Sequence, residues 1–205
     1  MKQSILTCLL LVCFSLLYSQ GSYNLAKIGL EEIQLREHQH ESVLIDTIEF
    51  GITLANFAGD HVKTKTLIYK RVNDDFSPKL HVWYHLDTHS EDLLGITYNW
   101  DFYNPGFNPD KNRDLLFATA EREAEYKQLY DSLIAFLNKE IGPYSEVNLI
   151  SDNDFSFNEM IYWENDKLYA YARMNFKRTI QEIPVLGLAS NHFAVQMVLS
   201  FKNDQ

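Results

Sequence analysis

Residues 79–103, KLHVWYHLDTHSEDLLGITYNWDFY, decide the fold class. Successive side chains on a strand point to opposite faces, so residues two apart share one. From Lys79 to Leu86 this puts Leu80, Val82, Tyr84 and Leu86 on one face, and His81, Trp83 and His85 on the other. From Leu94 to Tyr103 it gathers Ile96, Tyr98, Trp100 and Phe102, with Thr97, Asn99 and Asp101 opposite. The join, Asp87 to Asp92, is polar and short. Two alternating runs on a short connection predict antiparallel strands with one face buried.

The same pattern extends outward. Thr64 to Val72 predicts a strand, followed by the turn residues Asn73, Asp74, Asp75, Ser77 and Pro78. Downstream, Asn104-Pro105-Gly106-Phe107-Asn108-Pro109 breaks the sheet pattern. Beyond it Tyr126, Leu129, Tyr130, Leu133, Leu137 and Ile141 recur at three- and four-residue steps, the stripe of an amphipathic helix. Thr119 suits its N-cap, and Gly142-Pro143 its end. Three more strands are predicted: Glu159 to Glu164, Lys167 to Phe176 across an Asn165-Asp166 hairpin turn, and Phe193 to Phe201. The expected class is α+β: an antiparallel sheet of about six strands in the order β-β-β-α-β-β-β, with one long helix on one face. No internal repeat shows in the sequence. Residues 20–60 fit neither period and stand as a cover or extension.

Residues 1–19 read as a cleaved signal peptide. Lys2 supplies the positive start, Ile5 to Leu17 an apolar run too short to span a bilayer, and Ser19 the small residue before the cut. Cleavage there leaves 186 of the 205 residues as one domain and moves the net charge from −10 to −11. Both cysteines, Cys8 and Cys13, leave with the signal, which excludes disulfides and thiolate chemistry from the remainder. A lipid-modified Cys13 fits less well, because Val12 precedes it and a greasy stretch would follow. The expected location is the periplasm or the outside of the cell. The negative charge argues against nucleic acid, and no later segment predicts stable membrane insertion.

Motifs for chemistry are sparse. Asp110, Asn112, Asp114 and Glu121 stand at positions one, three, five and twelve of an EF-hand-like calcium loop. Leu115 replaces the glycine that such a loop needs, and Pro105 and Pro109 leave no entering helix, so an acidic helix start is the plainer reading. His85, Asp87 and His89 offer ordinary zinc ligands. His81 and His85 share a strand face about 13 Å apart, too far to share an ion. No nucleophile elbow, phosphate-binding glycine loop or dinucleotide fingerprint occurs, and no cofactor is implied.

The second sheet face carries the more specific pattern. Trp83, Tyr169, Tyr171, Arg173, Asn99 and Asp101 all point away from the predicted core, interleaving rings with planar polar groups. Such a surface stacks on sugars or clasps a peptide. Exposed strands also favour aromatic residues for cross-strand pairing alone. The sequence therefore predicts an exported, non-catalytic domain that binds a protein, peptide or saccharide. The alternative is a metal-dependent hydrolase or calcium-binding protein built on the histidines and carboxylates.

Overall fold

The computed structural model describes residues 23–49, 54–55, 61–72, 76, 79–101, 119–178 and 193–202. Among the described residues the first elements are helix α1 (Leu30–Gln39) and strand β1 (Val43–Ile48), then an antiparallel pair of β2 (Leu54–Ala55) and β3 (His61–Val62). Strands β4 (Thr64–Lys70), β5 (His81–Asp87) and β6 (Leu93–Asp101) follow. Helix α2 (Ala120–Glu140) leads to β7 (Glu146–Asp152), β8 (Ser156–Glu164), β9 (Leu168–Lys177) and β10 (Phe193–Phe201). The main sheet has eight strands in the order β1-β4-β5-β6-β10-β9-β8-β7, each neighbouring pair antiparallel.

That order halves at β6–β10. Each half is a helix followed by a four-stranded meander, and the last strands of the two meanders pair with each other. The architecture thus repeats where the sequence shows no repeat. The first copy has the shorter helix, 10 residues against 21, and carries the β2–β3 insertion.

The α+β class and the antiparallel pairing agree with the sequence reading. The count differs: among the described residues the main sheet has eight strands and there are two helices, in place of six and one. The added main-sheet strands, β1 and β7, are the two sheet edges. They are exposed along nearly their whole length, so burial imposes no alternation on them. The 20–60 segment contributes α1 and β1. Its residues Tyr23, Ile28 and Ile33 join the core on the helix face, beside Tyr98 and Trp100. That part of the segment therefore covers the first sheet face.

Helix α2 starts and stops as its sequence suggests. The Thr119 hydroxyl accepts from the Arg122 amide at 3.1 Å, and Gly142 takes φ +114°, a left-handed conformation natural to glycine. Its stripe buries Tyr126, Tyr130, Leu133 and Leu137 against the sheet. At a few tens of cal/mol per Å² of apolar surface, each such side chain contributes about 1.5–3 kcal/mol. The Asn165 side chain accepts from the amides of Lys167 and Leu168, closing the β8–β9 hairpin. Residues 1–22 and 102–118, which include the predicted signal and most of the calcium-like loop, lie outside the described residues. Among the described residues no helix is long and apolar enough to cross a membrane.

Candidate functional site

Both helices pack on the face that carries Tyr84, Tyr98, Ala172 and Met197. The opposite face is built by register. Across β5, β6, β10, β9 and β8, one row runs His81, Asn99, Gln196, Arg173, Met160. The next runs Trp83, Thr97, Val198, Tyr171, Tyr162. A third runs His85, Gly95, Ser200, Tyr169, Glu164. Strands lie about 4.8 Å apart, so neighbours within a row touch. Five of the six predicted ligand-binding residues, Trp83, Asn99, Tyr169, Tyr171 and Arg173, fall within this patch. The side chain of Asp101, at the end of β6, lies outside the described residues.

Burial divides the patch. His81, His85, Thr97, Asn99, Val198 and Ser200 are buried. Trp83, Gln196, Tyr169, Tyr171, Arg173, Met160 and Tyr162 are half-buried. The accessible part is therefore centred on β9 and β8, and Asn99 belongs to its floor. Neighbours hold the accessible groups in place. The Tyr171 hydroxyl donates to Gln196 at 3.4 Å, and Arg173 Nε donates to Asn158 Oδ1 at 3.2 Å. The Tyr162 and Tyr171 rings meet at 6.1 Å between centroids. Lys202 Nζ lies 4.3 Å above the Tyr169 ring and donates to Glu164 at 2.8 Å. Burial raises the Tyr171 hydroxyl above its ordinary pKa, so it stays a neutral donor. Ring faces and planar hydrogen-bonding groups thus share one surface.

Two nitrogens on β5 stand out. Among the described residues, His81 Nε2 and Trp83 Nε1 are enclosed with no hydrogen-bond partner. They belong to the same face, two positions apart. A buried polar group left unsatisfied costs about 1–3 kcal/mol. Such groups are rare in folded proteins, and each calls for a physical account.

Of the candidate metal ligands, His85 and Asp87 are engaged within the protein. His85 is buried, with Nδ1 3.0 Å from the Thr66 hydroxyl and Nε2 3.0 Å from the Thr97 hydroxyl. Burial pushes its pKa down to about 4, so the ring is neutral at pH 7. Asp87 Oδ1 accepts from the amides of His89 and Ser90, an Asx turn that holds its carboxyl below the ordinary range. His89 is exposed on that turn. Glu121 is exposed in the first turn of α2, and Asp110, Asn112 and Asp114 lie outside the described residues. Among the described residues no three histidine, cysteine or acidic side chains converge as a metal site.

One buried cluster has no counterpart in the sequence reading. Glu37 of α1 and Arg71, just after β4, are 1% and 4% exposed. Arg71 Nη2 donates to Glu37 Oε1 at 2.7 Å and Nε to Oε2 at 3.2 Å. The hydroxyls of Tyr84 and Ser42 each add a bond to the carboxylate at 2.6 Å. Four donors satisfy the carboxylate and fasten the last turn of α1 to the sheet. In the second half, Asn138 in the last turn of α2 accepts from Trp163 Nε1 at 2.9 Å. Each helix is thus tied near its end by one polar side chain. The available signal was Ile33 and Glu37 four residues apart, one helical face ending in a charge.

No protein-family model matches this chain, and neither does any curated protein or solved structure.

Proposed function

We propose that this protein is an exported, non-catalytic domain that captures a ligand on the sheet face away from its helices, and that the ligand is a saccharide. The observation that carries this reading is the register. It sets Tyr169 and Tyr171 beside Gln196 and Arg173, with Trp83 in the same row as Tyr171 but three strands away across the buried Thr97 and Val198, on a face that neither helix covers. Sugars present apolar ring faces edged by hydroxyls, and this patch offers tyrosine rings edged by an amide and a guanidinium. The negative charge of the chain argues against nucleic acid as the ligand. Export rests on the layout of Met1 to Ser19.

The test is an oligosaccharide array, with hits measured by calorimetry. The variant Trp83→Leu/Tyr169→Ser/Tyr171→Ser should lose saccharide capture while keeping a wild-type circular dichroism spectrum. If the triple variant unfolds, Tyr169→Ser/Tyr171→Ser serves, because both rings are half-buried at most. A folded variant with undiminished capture refutes this surface as the site. A protein that binds peptides and no saccharide refutes the ligand class.

A further inference from the structure

One end of the molecule holds a cleft of about 750 Å³, formed by residues 23–27, the last turns of α2, the turn into β9 and the end of β10. It adjoins the sheet patch at Lys202 but has its own aromatic lining, and it does not rest on the saccharide reading. Its apolar lining comes from Tyr23, Leu25, Phe136 and Phe201, with the Tyr23 and Phe136 rings 5.1 Å apart. The charged groups around it are Lys27, Lys139, Lys167, Lys202 and one acid, Glu140. The chain as a whole has 28 acidic residues and 18 lysines and arginines, so this cleft inverts the balance of the protein.

Two of these cations are already engaged. Lys202 donates to Glu164 at 2.8 Å, and Lys139 lies 3.5 Å from Glu140 at the carbonyl end of α2, where positive charge is favoured. Lys27 and Lys167 are exposed and have no ion-pair partner among the described residues. Two uncompensated ammonium groups beside an aromatic lining form a surface of mixed character. Water alone satisfies the ammonium groups and leaves the rings wetted. A molecule with an anionic head and an apolar body satisfies both.

We infer that this cleft binds a small amphipathic anion, its apolar body against Tyr23, Phe136 and Phe201 and its carboxylate or phosphate head between Lys27 and Lys167. The test is isothermal titration calorimetry of the purified protein with four probes: laurate below its micelle concentration, dodecyl phosphate, dodecanol and inorganic phosphate. Laurate and dodecyl phosphate should bind with a single-site isotherm, and dodecanol at least about tenfold more weakly, a difference of about 1.4 kcal/mol. Lys27→Glu/Lys167→Glu should weaken both anions at least about tenfold and leave dodecanol unchanged. Both positions are exposed, so the variant should keep the wild-type melting curve. No single-site isotherm, or equal binding by the variant, overturns the site. Inorganic phosphate binding as tightly as dodecyl phosphate overturns the role of the apolar lining. Sedimentation with phosphatidylglycerol vesicles separates a free anion from a membrane source, and vesicle capture without monomer binding overturns the small-molecule reading.

Discussion

Replacing Glu37 by glutamine keeps the shape of the side chain and removes its charge. The carboxylate is enclosed, paired with Arg71 through two nitrogens and bonded by the hydroxyls of Tyr84 and Ser42. In Glu37→Gln the buried guanidinium loses the carboxylate it is paired with, and the new NH₂ group faces donors. Breaking a buried pair in this way costs about 3–5 kcal/mol. At about 2–4 °C per kcal/mol for a domain of this size, Tm falls by roughly 6–20 °C. Removing the whole cluster costs less, because burying the ions was itself expensive. Glu37→Leu/Arg71→Met/Tyr84→Phe should lie within about 2 kcal/mol of wild type.

The assay is urea unfolding followed by circular dichroism. A pH series adds a second readout. Burial alone would raise the Glu37 carboxyl, but Arg71, Ser42 and Tyr84 outweigh it and hold it below its ordinary value of 4.5. The pair's stabilisation is therefore full above pH 4.5 and drains as pH falls below it, a loss that Glu37→Gln does not show. A Glu37→Gln protein within about 1 kcal/mol of wild type would refute the buried pair.

Three further outcomes follow from the geometry. Burial lowers His85 from 6.5 to about 4, so the unfolded chain takes up its proton first and stability falls between those values by up to about 3 kcal/mol; His85→Gln should flatten that slope in pH-dependent melts, though His81 and His40, also lowered by burial, keep part of it. A slope unchanged by the substitution would count against the buried, hydroxyl-bonded imidazole. A Cβ on Gly95 would stand 2.6 Å from the Leu199 carbonyl oxygen, so Gly95→Ala should cost about 1–3 kcal/mol, and a chemical-denaturation midpoint equal to wild type would contradict the β6–β10 register. Zinc should leave Tm within about 1 °C, since both His85 nitrogens face threonine hydroxyls and Asp87 serves its own turn; a rise of several degrees at micromolar zinc would show a site formed otherwise.

Alternation made the central strands legible. Leu80, Val82, Tyr84 and Leu86 had one face to bury, and in the structure all four are buried. Where burial is absent the pattern is absent. Val147, Leu149 and Ile150 of β7 are each about half exposed on an edge strand, so nothing sorts their neighbours into inside and outside. The second face was legible as a list of residues but not as a gradient. Asn99 and Trp83 alternate alike, yet Asn99 lies on the buried floor and Trp83 is half-buried. The Glu37–Arg71 pair joins residues 34 positions apart, and the lysine cleft joins residues 27 and 202, so neither has a local pattern to read. The repeated helix-and-meander architecture leaves no repeat in the sequence because its two copies differ in helix length and loop insertions, not in order.

The central claim is that the sheet face centred on Tyr169, Tyr171 and Arg173 is a saccharide-binding surface. Calorimetric titration of wild type and Tyr169→Ser/Tyr171→Ser with an array-selected oligosaccharide tests it most directly. Each base–aromatic or sugar-like stacking contact is worth about 1–3 kcal/mol by analogy with nucleobase platforms. Loss of both rings should therefore weaken binding at least about thirtyfold, with the melting temperature little changed. Equal affinities in two equally folded proteins would contradict the claim.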